Sequence, residues 1–423
     1  MTTPDTPPAK ELLKHPAALF ILLAMFLHTT ATSAQAIALG KQVYDMTGRK
    51  IDLGWIGLAE FAPTALLVFV AGAVADRFDR RKIAAIGLLG EVCSSIALAL
   101  YARSHPTRVW PIFLIVIVFG TSRGFTSPAI RSLVPSTVPE NLLPRISAVS
   151  SSMWTTAGIG GPIVGGFLFA VNASLPYWFA AGILVLGAAA SLSIDKEIEA
   201  HKQHAERPKL STAFDGLHFV RRTPLLLSAI SLDLFAVLFG GAVALLPAIA
   251  KDRLHVGSTG LGYLRASAAT GASLMAIFLA ARPVTRRIGR KLLISVGVFG
   301  VATIMLGVTK SFAVAVVALL ILSAADMISV FIRSTLVPLA TPPEMRGRVT
   351  AVEQVFIGAS NELGAFESGI AAQAMGTVWG VVSGGIATIV IVGIWWRVFP
   401  TLRDIDTFDD VNKQPNDVVG KSV

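Results

Sequence analysis

Gly72-Ala73-Val74-Ala75-Asp76-Arg77-Phe78-Asp79-Arg80-Arg81-Lys82 joins two long apolar runs, 53–75 and 83–102. So short a connection has no length in which to leave a membrane surface. It must turn directly between two spanning helices, with its cations at one water face. Asp76, at the end of the first helix, is placed to accept hydrogen bonds from nearby backbone and to pair with a cation across the turn. Gly72, one helical turn earlier, lets another helix approach closely. The plain alternative is a basic hairpin that sets orientation only. The order within Gly-x-x-x-Asp-Arg-x-x-Arg-Arg exceeds what that alternative needs.

Working outward, the composition agrees with a membrane setting. The chain has 423 residues, of which 53% are hydrophobic and only 15% charged, far from soluble usage. Apolar runs lie at 17–40, 53–75, 83–102, 109–130, 146–172, 176–194, 225–250, 258–281, 292–309, 312–335, 349–375 and 378–396. Each is near the roughly 20 residues that a helix needs to cross hydrocarbon, so twelve spans are expected, with both chain ends on one side. The first run continues to Gly40 and is too long for a cleavable signal peptide. The single Cys93 excludes an intramolecular disulfide.

A net charge of +10 invites a nucleic-acid reading. The cations, however, sit mostly in short loops. Of 36 Lys and Arg, 25 fall in segments alternating with the N-terminus, 8 in the opposite loops and 3 inside spans. This asymmetry places both termini in the cytoplasm of a bacterial inner-membrane protein and speaks against nucleic acid as a partner.

The one long connection, Asp195 to Arg222, divides the spans into two groups of six. The expected organisation is a bundle over 1–194, a cytoplasmic linker over 195–222, a second bundle over 223–400 and a tail over 401–423. Leu210, Phe214, Leu217 and Val220 stand at helical spacing and suit the inner surface. Internal repetition supports the halves. Gly289-Arg290-Lys291 after span eight aligns with Asp79-Arg80-Arg81, although Arg286 replaces Asp76. Ile130-Arg131-Ser132 before Leu133-Val134-Pro135 is echoed by Ile332-Arg333-Ser334, with one Thr inserted before Leu336-Val337-Pro338. Parallel repeats about an axis along the membrane normal are the expected consequence.

Span five carries Gly158-Ile159-Gly160-Gly161-Pro162-Ile163-Val164-Gly165-Gly166. Its small residues expose bare backbone to a neighbour, and Pro162 removes one helical hydrogen bond and permits a bend. Generic tight packing is the alternative. Span eleven carries Ala359-Ser360-Asn361-Glu362-Leu363-Gly364-Ala365-Phe366-Glu367-Ser368-Gly369, too polar for a lipid-facing helix. Glu362 and Glu367 are about 140° apart around it, so they point to different neighbours.

The opening stretch resembles the signature between helices two and three of the major facilitator superfamily. There it is a cytoplasmic gate latch, a role the resemblance extends to Gly72, Asp76, Arg77, Arg80 and Arg81. Asp79 stands where the family usually has Gly and offers the arginines a second carboxylate. Gly161, Pro162, Gly165 and Gly166 are similar to the family's antiporter signature, with Ala148 and Ala157 at its upstream glycine positions; this favours export over import. Asn361-Glu362-Leu363-Gly364, the following Glu367-Ser368-Gly369 and Arg346-Gly347-Arg348 resemble the branch holding the enterobactin exporter and drug:proton antiporters. The resemblance implies an all-α membrane protein of twelve transmembrane helices in two pseudo-symmetric six-helix bundles, the major facilitator fold. It also implies a substrate among catechol-type siderophores or bulky amphiphiles.

Ionisable groups inside spans cost about 2.5–3.5 kcal/mol each on insertion scales and are functional candidates by default. Arg265 and Glu60 lie near the outer face and Arg333 near the cytoplasmic end of span ten; these three read as interfacial anchors. Asp233, Asp326 and Arg123 sit closer to the midplane, where a carboxylate can exchange a proton within the membrane. With Glu362 and Glu367 they are the proton-coupling candidates. A structural ion pair, with Glu60 or Asp233, is the alternative for Arg123. His28, Gln35, Trp154 and Asn361 are candidates for lining a central cavity. Trp110, Trp178, Trp379, Trp395 and Trp396 read as interface anchors.

Enzyme signatures are missing. There is no P-loop lysine motif, so ATP is not expected. No metal-ligand spacing occurs, and Gly120-Thr121-Ser122-Arg123-Gly124 lies in an apolar span where a nucleophile elbow cannot form. The sequence and the resemblance together predict a monomeric, proton-driven exporter working by alternating access without a cofactor or metal, and the resemblance implies a siderophore or drug-like amphiphile as its substrate. Its small-molecule substrate and the bilayer are its partners. A proton-coupled importer of a nutrient or lysophospholipid, and a membrane sensor without flux, are the alternatives.

Overall fold

Prolines open many of the helices in a computed structural model of the protein, which describes residues 9–104, 106–194 and 210–413. For residues 68–73 and 75–77, and for 210–214, the backbone alone is described. The helices are α1 (Pro16–Thr47), α2 (Ile51–Arg77), α3 (Arg80–Arg103), α4 (Trp110–Ser136), α5 (Leu143–Val171), α6 (Leu175–Leu192) and α7 (Leu210–Arg222). They continue as α8 (Pro224–Phe239), α9 (Leu246–Ala248), α10 (Ser258–Ala281), α11 (Ile288–Val308), α12 (Phe312–Leu339), α13 (Arg346–Val398) and α14 (Pro400–Arg403). Pro16, Pro111, Pro144, Pro176, Pro224 and Pro400 each fall in a first turn, where the missing N–H is no loss.

Ten helices among the described residues are long and apolar enough to cross a membrane. α13 is two helices run together at Gly376, whose φ of 85° and ψ of 160° lie outside the helical region and suit glycine alone. With that break counted and with α2, itself 27 residues long, the spans number twelve. The expected continuous span 225–250 is the exception. α8 stops at Phe239, and a 3₁₀ turn, α9 and a π turn carry the chain to Arg253. Paired glycines cause the stop: a Cβ on Gly241 would collide with the Gly364 carbonyl, and one on Gly240 with the Phe299 ring.

The chain divides into two compact units. One comprises Met1–Gly48, Trp55–His204 and Val256–Ala266; the other comprises Arg49–Gly54, Ala205–His255 and Ser267–Val423. In the first, α1 packs on α5 and α6, and α3 packs on α4 and α6. Small residues set the α1–α5 distance. A Cβ on Gly165 would stand 2.7 Å from the Ala34 Cα, and one on Gly161 2.7 Å from the Ser33 Cβ. In the second unit α11 packs on α12 and α13, and α8 on α13, around a core that includes Leu226, Leu292, Leu293, Ile332 and Leu336.

The basic repeat after α10 gains in space the carboxylate it lacks in sequence. Arg286 Nε lies 3.4 Å from Asp406 Oδ2, and the Arg287 N–H donates to Asp406 Oδ1 at 3.1 Å. Ile288 and Gly289 donate their N–H groups to the Asp406 and Ile405 carbonyls. Leu402 and Ile405 are buried in the core, which anchors this segment. α7 docks too. Gly216 lies against the Arg348 backbone, and Asp215 pairs with Arg348 at 3.3 Å. The earlier part of the expected linker, 195–209, lies outside the described residues.

The α1–α5 contact predicts an asymmetry between neighbouring glycines. Gly165→Ala should lower the stability of detergent-purified protein by about 1–3 kcal/mol through overpacking. Gly160→Ala, with open space around its Cβ position, should leave the thermal midpoint unchanged or raised.

Candidate functional site

Three apolar helices of the second unit bring charge together in their interior. Arg333 of α12 is 3% exposed, Asp233 of α8 6% and Glu353 of α13 8%. Arg333 Nη2 lies 2.7 Å from Asp233 Oδ1, and Nη1 lies 3.6 Å from Glu353 Oε1. Its Nε lies 3.4 Å from Ser329 Oγ, one turn back on α12. Asp326, seven residues before Arg333, falls on the same helical face. Asp326 and Asp233 line one small cavity with Ser329, Val296 and Phe299; its volume, about 10 Å³, is at the threshold for a single water.

Packing holds these groups in place. Trp395 Nε1 donates to the Ser228 carbonyl at 3.1 Å and Thr388 Oγ1 to the Ala236 carbonyl at 3.3 Å, tying α13 to α8 on either side of Asp233. Trp395, partly buried, also packs edge-on against Phe235. Val349 and Val352, buried beside Glu353, seat the start of α13.

The charge count gives the cluster its chemistry. One guanidinium pairs with two carboxylates, and a third, Asp326, shares a cavity with one of them, so the group fully ionised is short of positive charge in an apolar setting. Such an arrangement is stable only if protons or a second cation make up the difference.

Sequence reading placed Arg333 as an interfacial anchor, and the structure corrects this. α12 continues to Leu339, and Arg333 is buried against α8 and α13 through Asp233 and Glu353, so the residue lies inside packed helices. Glu353 escaped the reading altogether. Its signal was present: a carboxylate four residues into an apolar run.

In the first unit the structure places His28 and Gln35 in interhelical contacts. Both are buried. His28 Nε2 lies 3.0 Å from Oε2 and 3.3 Å from Oε1 of Glu91, which has no exposure at all. Ser95 Oγ lies 2.7 Å from Gln35 Oε1 and donates to the Glu91 carbonyl at 2.8 Å. Residues 91 and 95 stand one turn apart on α3, and 28 and 35 two turns apart on α1, so the two faces mesh. Arg123 pairs with Glu60 within the first unit, one of the structural ion pairs weighed for it. Thr64 reinforces this contact by donating to the Gly120 carbonyl at 2.8 Å.

Of the gate motif, Gly72, Asp76 and Arg77 have side-chain positions outside the described residues. Asp79 caps α3 by accepting from the Arg81 N–H at 3.0 Å, and it pairs with Arg81 Nη2 at 2.6 Å. Arg81 is buried and donates to the Ile194 carbonyl beyond α6, while Arg80 is partly exposed. In the antiporter-like run Gly161, Pro162, Gly165 and Gly166 are buried. Trp154 is 60% exposed on α5. Asn361 is exposed and donates to the Ile357 carbonyl at 2.9 Å. Glu362 and Glu367 are partly exposed on α13.

Residues 21–365 match the sequence model of the Major Facilitator Superfamily. The chain belongs to this superfamily. It is a multi-pass membrane protein and a transporter, not an enzyme, and its partners are a small-molecule substrate and the bilayer. It is similar to the enterobactin exporter EntS of Shigella dysenteriae, 24% identical over 346 residues that cover 81% of this chain and 82% of that one. Multidrug resistance protein 1 of Bacillus subtilis is 29% identical over 187 residues, 43% of this chain, which span only 47% of that protein. The crystal structure of the nucleoside transporter NupG superposes with a TM-score of 0.72 at 12% identity, covering 91% of this chain and 99% of that one. At that identity the likeness shows the fold alone.

Removing the shared cation should be far costlier than removing the group of charges. Arg333→Ala leaves buried carboxylates without a counter-charge and should destabilise by about 3–5 kcal/mol. Adding Asp233→Ala should recover part of the loss in thermal unfolding of the purified protein. Equal, additive losses would show that the two residues do not form a unit.

Proposed function

We propose that this superfamily member is a proton-coupled exporter of a siderophore or an amphiphilic drug-like molecule. It works as a monomer by alternating access in a bacterial inner membrane, with both termini cytoplasmic. The transmembrane proton gradient drives it, and no cofactor is required. The observation that carries this reading is the single Arg333 guanidinium shared between Asp233 and Glu353 inside apolar helices, with a third carboxylate, Asp326, on the cavity beside Asp233.

Asp233 holds Arg333 at direct hydrogen-bond distance and Glu353 stands behind it. Asp326 faces the same cavity without a guanidinium of its own, which makes it the natural proton carrier. With a proton on Asp326 the cluster is closer to neutral and the unit can move within the bilayer at less cost. With the proton gone, the excess negative charge favours contact with water. Two states of different charge are what coupling requires, because a proton shifts an equilibrium only by its differential affinity for the two. Arg123 with Glu60, and Glu362 with Glu367, are secondary candidates for the same role.

Export as the direction is supported by the relatives named as an exporter and a multidrug resistance protein, and by the Gly161-Pro162-x-x-Gly165-Gly166 run. The gate residues Gly72, Asp76, Arg77, Arg80 and Arg81 are assigned to the cytoplasmic latch on the sequence alone.

Everted vesicles offered enterobactin, or a fluorescent amphiphilic dye, test this. Under an acid-inside gradient the native protein should accumulate cargo, and Asp326→Asn should reduce uptake to background with the protein still folded. Accumulation that persists unchanged after an uncoupler collapses the gradient contradicts proton coupling.

A further inference from the structure

A second cavity, of about 390 Å³, opens within the first unit between α1 and α5. Its size falls within the usual range of small-molecule sites, roughly 300–1,000 Å³. Phe26 of α1 and Ala148, Val149 and Met153 of α5 supply an apolar wall, and Arg145, Ser152 and Thr156 supply the polar groups. Among the described residues that line it, Arg145 alone is charged. Its Nε is buried and meets no acceptor among the described residues, a costly state for a guanidinium donor. The two hydroxyls do not meet it either. Ser152 Oγ donates to the Ala148 carbonyl at 3.0 Å and Thr156 Oγ1 to the Ser152 carbonyl at 2.9 Å. Both side chains therefore offer lone pairs to the cavity and no free proton.

We propose that this cavity binds an anionic amphiphilic cargo, its carboxylate or phenolate on Arg145 and its flat apolar body against Phe26 and Met153. A guanidinium prefers a planar, bidentate anion. An aromatic body gains contacts with the Met153 thioether and the Phe26 ring. The hydroxyls on the far side accept hydrogen bonds from a hydroxyl or amine on the same molecule, which gives the site a polarity: acceptor-rich at Thr156, cationic at Arg145. This deepens the transporter reading by naming the charge of its cargo. It does not depend on proton coupling, because occupancy is measured without a gradient.

The test is equilibrium binding to full-length protein in phosphatidylcholine nanodiscs, with 2-naphthoate as the anionic probe and 2-naphthamide as its neutral counterpart. The native protein should prefer the anion. Arg145→Gln should weaken 2-naphthoate by about tenfold or more, the equivalent of one charge-assisted hydrogen bond, and leave 2-naphthamide unchanged. Ser152→Phe, which fills the cavity from its exposed side with Arg145 intact, should abolish both. Equal binding of the two probes, or equal losses in Arg145→Gln, overturns the proposal. Exchange of part of the phosphatidylcholine for phosphatidylglycerol separates a cargo from a lipid headgroup. Unchanged 2-naphthoate affinity supports a cargo site; competition that disappears in Arg145→Gln assigns the site to lipid and overturns it.

Discussion

The guanidinium of Arg333, enclosed by apolar helices and shared among more carboxylates than it can neutralise, is the constraint around which the second unit is arranged. A buried ion pair contributes little net stability, because desolvation consumes most of the Coulomb gain. Its retention in an otherwise apolar region needs another reason, and reversible charge is the one that suits a carrier. α8, α12 and α13 must approach closely for these groups to meet. The packing that achieves this is correspondingly detailed: Trp395 and Thr388 tie α13 to α8, and Gly364 lets the end of α8 come against α13.

The first unit meets the same problem with different chemistry. Its polar side chains resolve into separate pairs, His28 with Glu91, Gln35 with Ser95, Tyr177 with Gln42 and Arg123 with Glu60. No carboxylate excess like that around Arg333 is seen in them. What the first unit provides instead is the cavity beside α5, with one unmatched cation. The acidic cluster thus belongs to the second unit and the cavity with Arg145 to the first.

Much of this was legible in the sequence for simple reasons. Apolar runs near the length of a bilayer crossing place the helices to within several residues, the span that breaks after Phe239 excepted, and Gly376 falls inside the short gap between the last two runs. Gly161, Gly165 and Pro162 could be read as a close helix contact because absent side chains leave few other uses for such a run. Partners were harder. Depth along one helix says nothing of which neighbour covers it, so Arg333 looked interfacial and the Glu91 partner of His28 had no local signal. Glu353 went unnoticed because it stands close to a span's start, where a carboxylate is ordinarily solvated. The Asp406 contact to Arg286 and Arg287 joins residues about 120 apart in the chain, and no local pattern announces it. The break after Phe239 was missed for a similar reason: two glycines in an apolar run signal close packing as readily as a helix end.

The most direct measurement is infrared difference spectroscopy of the reconstituted protein across a pH titration, following the stretch of protonated carboxyl groups. A band should appear and vanish reversibly, shift on deuteration and be lost in Asp326→Asn while the amide envelope stays unchanged. A native protein with no such band at any pH at which it remains folded, or a band untouched by Asp326→Asn and Asp233→Asn alike, would contradict a proton-exchanging cluster at Arg333.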